Sequence, residues 1–421
     1  MTLRRLPLTW SIYGLNAAWA CFIYLLGPIS PVLVDALGVP ESWAGLLGTA
    51  LALGGMTAGF LAPAVVGRIG RDATMRYGLA GTAIALTVLM ALSPMLSGVS
   101  AFILVSALVW LTGACGITAL NASIARLSDV HPEHSATVIT EANAGAAWAG
   151  VLSPLLLGLA LGAGLGWGAG VAVSLVAVLA ALAGVVLAQR LGVPRQEGAV
   201  GDAPTADPDP TADPGPTADP DPTADPVAAA APRGLGPTFW WAMVAVFAAV
   251  ATEFGVNFWG STLIREQTGA PTATATAAMS ASVIGVALGR TVGPWLIARL
   301  GTHRTLVGGY AVALVGFAVL WSAASVGAAV GGLLLTGLGL STLFPLLIDR
   351  GIVLSLGRAD LAMSRASLVL SAAVGASPFA LGALGAFMPV QQAFLLIPVV
   401  IGVGMVAAVR SRPSAVRSEV R

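Results

Sequence analysis

Lysine is missing from this 421-residue chain, and all 20 of its basic residues are arginine. That absence removes Schiff-base chemistry and the phosphate-binding lysine of a P-loop, and with no Walker pattern present it argues against direct drive by ATP. Charge of either sign is scarce, at 9% of residues where an average soluble domain has about 25%. Cys21 and Cys115 fall in separate apolar runs and read as packing residues rather than as a disulfide or metal pair. The three histidines lie in short polar stretches and form no metal-binding pattern. No catalytic triad, metal cluster or phosphate loop is present, so no enzymatic activity, cofactor or metal is expected, and no nucleic-acid partner. What is abundant is apolar: 57% of the chain is hydrophobic, which marks a membrane protein.

One stretch breaks this pattern and divides the chain. Between Leu191 and Pro237, Thr-Ala-Asp-Pro recurs at Thr205, Thr211, Thr217 and Thr223, with a net charge of −6 against +7 for the remainder. A repeat this short and polar cannot bury a core, its prolines forbid helix, and its aspartates repel one another. A disordered cytoplasmic tether is the plain reading; a recognition segment is the other. Around it, stretches long enough to span a bilayer fall near residues 9–34, 42–66, 74–94, 98–126, 135–162 and 167–190, then 238–263, 272–297, 303–323, 327–349, 361–386 and 391–410. The expected fold is all-α, with twelve membrane helices in two bundles of six, residues 1–190 and 238–410, and a cytoplasmic tail over 411–421. The apolar run after Arg5 continues well past Leu26, so it is read as a retained first span rather than a signal peptide.

Placing the N-terminus inside puts nearly all arginines on or near the cytoplasmic side; Arg265 alone lies outside, and Arg290 falls within a span. The halves also match one another. A shift of 231 residues pairs Trp10 with Trp241, Pro40 with Pro271, Gly54 with Gly285, Pro63 with Pro294, Arg68 with Arg299 and Gly70 with Gly301. A shift of 224 pairs Leu111-Thr112-Gly113 with Leu335-Thr336-Gly337, Arg126 with Arg350, and Ser153-Pro154 with Ser377-Pro378. A constant register across two helices at a time points to an internal repeat.

Six plus six helices around a long middle loop, with repeated halves, resemble the major facilitator superfamily of secondary transporters. The loop after the second span, Gly67-Arg68-Ile69-Gly70-Arg71-Asp72, is similar to the superfamily's Gly-x-x-x-Asp-Arg pattern with Arg and Asp exchanged and a later glycine missing. The resemblance implies that Gly67, Arg71 and Asp72 steady closure between the halves; an ordinary positive-inside loop is the alternative. Gly150 to Gly158, with Ser153-Pro154, is similar to the helix 5 signature of drug/proton antiporters, but Val109 stands where those proteins place arginine. Glu253 followed by Trp259, Gly289-Arg290, and Gly337-Leu338-Gly339 before Phe344-Pro345 resemble the fucose-permease-like branch.

Charge within the hydrocarbon costs a few kcal/mol and so asks for a partner or a wet cavity. Glu253, read as lying beyond the midplane toward the outside, is the expected proton carrier, a locked structural carboxylate being the alternative. Asn257 lies one turn away on the same face. With Tyr13, Asn16 and Tyr24 in the first span, Trp110 and Asn121 in the fourth and Ser341 and Thr342 in the tenth, it would line a polar cavity for a small solute, as the family arrangement implies. Each Asn or Ser serves equally well as glue between helices, and Trp240, Trp241 and Trp259 read as interfacial anchors. Glu141 and Arg290, about 10 Å deep on the cytoplasmic side, are expected to pair and close an inner gate, and to separate when the transporter opens inward. The expected function is proton-coupled transport of a small organic solute by alternating access, by a monomer in a bacterial inner membrane. Export of hydrophobic compounds and a non-transporting membrane sensor are the competing readings.

Overall fold

The structure, a computed structural model, describes residues 5–92, 95, 97–191, 235–356 and 358–412. Residues 192–234, which hold the repeats, and residues 413–421 of the tail lie outside the described residues. Among the described residues there is no strand. The helices are α1 (Pro7–Leu37), α2 (Ala44–Leu92), α3 (Gly98–Val130), α4 (Ser135–Gly150), α5 (Leu152–Gly162), α6 (Gly168–Arg190), α7 (Pro237–Thr268), α8 (Thr272–Ala278), α9 (Ser280–Leu300), α10 (Thr302–Trp321), α11 (Val326–Leu340), α12 (Leu343–Leu354), α13 (Ala359–Gly385), α14 (Val390–Ala393) and α15 (Leu396–Arg410).

Helix α2 has 49 residues, about 74 Å at 1.5 Å each. That is more than twice the roughly 30 Å of a hydrocarbon core. It is two spans joined at Gly70, whose φ of 77° and ψ of 165° only glycine adopts readily. Gly301 repeats this at φ 77° and ψ 158° between α9 and α10. Four other spans are each assembled from two consecutive helices: α4 with α5, α8 with α9, α11 with α12, and α14 with α15. The described residues thus make twelve spans, six on either side of the repeat segment, and both ends of the described chain lie on one face of the bundle, here the terminal face.

The internal repeat extends to atomic contacts. A methyl group added at Gly54 would overlap the backbone of Trp110 and Ala114, and one added at Gly285 would overlap Leu334 and Leu338. Both sequence shifts meet in that single pair of contacts. Between the halves the same symmetry recurs on the face away from the termini. Gly158 presses against Ala273 and Ala277, and its counterpart Gly382 presses against Ser42. Gly45 lies against the backbone of Pro378, Thr49 donates to the carbonyl of Gly375 at 3.4 Å, and Thr262 donates to Glu41 at 3.0 Å. Small residues let helix backbones approach where lipid supplies no hydrophobic drive. The halves are therefore sealed on the far face.

Spans 1 and 7 are the most enclosed, with 78% and 67% of their most apolar stretches buried against 28–56% for the others. They form the axis of the molecule. Trp259 in α7 is 1% exposed and donates to the carbonyl of Pro378 at 3.0 Å. It packs the core and is not the interfacial anchor expected from sequence; Trp240, 46% exposed, is placed as an anchor would be.

Overpacking of a tight contact costs about 1–3 kcal/mol. Gly158→Leu or Gly382→Leu should therefore force the halves apart on the far face. A single cysteine at Thr49→Cys, in a background lacking Cys21 and Cys115, should then react several-fold faster with a membrane-impermeant maleimide. Unchanged labelling in both variants would mean the glycine contacts do not hold the seal.

Candidate functional site

The centre of the molecule is where α1 and α7 touch. Glu253 stands 16 residues into the 32-residue α7, so it lies at the middle of its helix and not toward the outer end as the sequence suggested. Helix α7 runs on to Thr268, where Gly269 caps it at φ 67°, and this moves the midpoint. Tyr24 stands at the middle of α1 and donates to Glu253 Oε1 across the two halves at 3.2 Å. One turn further, buried Asn257 donates to the carbonyl of Ile23 at 3.4 Å, and its backbone lies against Gly27 with no room for a methyl group. Three of the expected cavity residues therefore meet at one seam.

From this seam toward the terminal face the halves part around two crevices. One, of about 540 Å³, is lined by Arg71 and Asn121 from the N-terminal half and by Ser364, Ser367 and Ser371 on one face of α13. The other, of about 300 Å³, is lined by Thr140 and Asn143 of α4, Arg290 of α9, and Ser341 and Thr342 at the break between α11 and α12. Of the four spans expected to line a cavity, the fourth and tenth border these crevices and the first and seventh do not. The second, fifth, eighth and eleventh contribute too, which the sequence reading did not include.

Several expected residues are placed elsewhere. Asn16 is buried and donates to Ile12 O at 2.9 Å and to Ser123 Oγ at 3.5 Å, holding α1 to α3 instead of facing a cavity. Trp110 lines neither crevice; it is 39% exposed and its indole donates to Thr57 Oγ1 at 3.2 Å. Tyr13 donates to Glu141 Oε2 at 2.7 Å near the terminal face, some three helical turns from Tyr24.

The Glu141–Arg290 pair, expected only where the inner side is closed, is not formed in this structure, whose halves part on the terminal face. Glu141 is held within its own half by Arg5, through Nη2 at 2.5 Å and Nε at 3.0 Å, and by Tyr13. Arg5 lies in the short segment before α1, which no spacing rule connects to the fifth span. Beside this cluster, Thr9 Oγ1 and His131 Nε2 share a buried hydrogen bond of 2.7 Å, also unforeseen. The loop after the second span is likewise tied into the N-terminal half. Arg71 pairs with Asp129, Arg126 Nε donates to Asp72 at 2.9 Å, and Gln189 donates to the Asp72 carbonyl at 3.1 Å. Gly67 lies in α2 with open space around it.

A helical bundle split along one face around a central acid is a common transport architecture, and comparison with known proteins decides the family. The profile of the Major Facilitator Superfamily matches residues 13–350. The chain belongs to the major facilitator superfamily. This superfamily member is therefore a multi-pass membrane transporter and not an enzyme. No curated protein matches it in sequence. Among solved structures it is similar to the E. coli fucose:proton symporter FucP, at 16% identity and a TM-score of 0.60, covering 96% of this chain and 98% of that one. It is also similar to the nucleoside transporter NupG, at 12% identity and a TM-score of 0.66, covering 96% of this chain and 100% of that one. At these identities the likeness is one of fold.

Burial, reinforced by the charges of His134 and Arg5 and opposed by Glu141, holds His131 below its usual value of 6.5. The imidazole is thus favoured neutral where it meets Thr9, and a form with that contact broken takes up the proton first. Above pH 6.5 the contact should add no pH dependence. As pH falls below 6.5, thermal stability in detergent should decline, by at most about 1.4 kcal/mol per pH unit. His131→Gln should remove this part of the slope, and parallel slopes for the two proteins would refute it.

Proposed function

We propose that this transporter carries a small polar organic solute across a bacterial plasma membrane by alternating access, coupled to protons through Glu253. The observation that carries the reading is the Tyr24–Glu253 hydrogen bond, set at mid-membrane on the seam between halves that are sealed on one face and parted on the other. Ionised, Glu253 accepts from Tyr24 and ties α7 to α1. Protonated, the carboxyl becomes a donor as well and its charge no longer opposes burial. The protonation state thereby biases how the halves meet, which is what coupling requires.

Positive loops stay cytoplasmic. The span order puts the described arginines on the terminal face, with Arg265 at the far end of α7 and Arg290 within a span as the exceptions. The termini are accordingly read as cytoplasmic, and the crevices as open inward. Arg71 and Asp72, bound to the ends of α3 and α6, would keep the inner end of the N-terminal half rigid as it moves. The crevices display hydroxyl, amide and guanidinium groups. Between these groups lie Met56, Phe60, Val66 and Leu368 in one crevice and Ile297, Phe344 and Leu346 in the other, so the lining is mostly apolar with a few polar contacts and suits a small polar or amphipathic solute. FucP, whose fold this chain shares, is a proton symporter.

In proteoliposomes with an imposed pH gradient, screened against sugars, nucleosides, amino acids and organic acids, the wild type should accumulate its solute. Glu253→Gln should lose accumulation driven by the gradient while retaining exchange of solute at equal pH. Accumulation by the variant at the wild-type level would remove Glu253 from the coupling.

A further inference from the structure

Arg290 is the charge that the arrangement leaves unexplained. It stands ten residues before the end of α9, about 15 Å from that end, between the terminal face and the midplane. Among the described residues it makes no hydrogen bond and no ion pair: Glu141 is taken by Arg5 and Tyr13, and Glu253 is bonded by Tyr24. It is half-buried, and its charge acts on the Tyr24 hydroxyl together with that of Glu253. A cation held at this depth with no carboxylate bonded to it is costly and marks a place where one arrives.

The surroundings suit an anion. Gly289 and Gly293, one turn apart, let α9 press against Ser341 and Thr342, so Arg290 is fixed beside two hydroxyl-bearing side chains. The first turn of α12, Phe344 to Leu346, lines the same crevice. Asn143 supplies an amide from the opposite half. About 300 Å³ holds a molecule of monosaccharide or amino-acid size.

Resting on the transport reading above, we infer that the solute is a small organic anion whose carboxylate binds Arg290, with hydroxyl or amide groups facing Ser341, Thr342 and Asn143. A planar guanidinium matches a carboxylate with two parallel hydrogen bonds. The inference also specifies the coupling. When Glu253 takes a proton, the positive charge of Arg290 is left uncompensated, and a monoanion restores neutrality. Proton and carboxylate then bind together and cross with no net charge.

The test is competitive uptake by proteoliposomes from an equimolar mixture of neutral hexoses, nucleosides, hexuronates and hydroxy acids, read by mass spectrometry. The wild type should take up carboxylates. Arg290→Lys, which keeps the charge and loses the fork, should transport with a KM raised about tenfold or more. Arg290→Gln should lose carboxylate uptake while showing the same size-exclusion profile. A pH gradient alone should drive uptake, and a potassium diffusion potential at equal pH should not. A neutral solute whose uptake survives in Arg290→Gln, or uptake driven by the potential alone, overturns the inference and leaves the transport reading standing. No uptake of any class by the wild type overturns both.

Discussion

Everything in this structure follows from how closely the two halves can approach on one face. Lipid chains are as apolar as leucine, so helices in a membrane gain little from hiding apolar surface from each other and associate through close packing. Gly158 against Ala273, Gly382 against Ser42 and Gly45 against Pro378 supply that packing, and a methyl group at any of them would overlap its neighbour. The first two contacts are related by the internal repeat, so the seal is two-fold in character. Because every such contact lies on the far face or at the midplane seam, the halves diverge toward the terminal face and the crevices open there.

Much of this was legible because glycine and proline positions are read in register. Gly70 and Gly301 match at a separation of 231 residues, and their backbones match within a few degrees. The pairs Gly54 with Trp110 and Gly285 with Leu334 needed both shifts to be right at once. Helix ends were less legible. Reading α7 as ending where polar residues begin misplaced Glu253, whereas the helix continues through Arg265 and Glu266 until Gly269 turns the chain. Partners were least legible. Nothing local in the sequence connects Arg5 to Glu141 across 136 residues, and Trp259 could be told from an interfacial anchor only by the carbonyl of Pro378 that it meets.

The repeat also shows where the halves have diverged. Arg126 in the first half meets Asp72, whereas the 231-residue shift places His303 opposite Asp72, and Arg350 turns to the carbonyl of Ala408 and to Ser411 Oγ instead. Arg350 thus satisfies the C-terminal end of α15, a favourable place for a cation. The pairs Arg5–Glu141, Arg71–Asp129 and Arg126–Asp72 are all substantially exposed, and such pairs contribute about 0–1 kcal/mol each. Their importance is positional. They tie the first span to the fifth and the third to the fourth, and Thr9 with His131 joins the two sets, so the N-terminal half can move as a unit.

Charge near the midplane obeys a stricter rule. A carboxylate or guanidinium there costs a few kcal/mol unless something compensates it. In the N-terminal half the compensation is internal, since Glu141 meets both Arg5 and Tyr13 nearer the surface. In the C-terminal half it is incomplete: Glu253 has one hydrogen bond from a neutral hydroxyl of the opposite half, and Arg290 has none from any described residue. Internal ion pairing would have locked these two groups and cost nothing in function to a purely structural protein. Their separation is intelligible in a transporter, because a site already neutral within itself has no preference for a proton or a solute, whereas two charges held apart make the binding of each depend on the other.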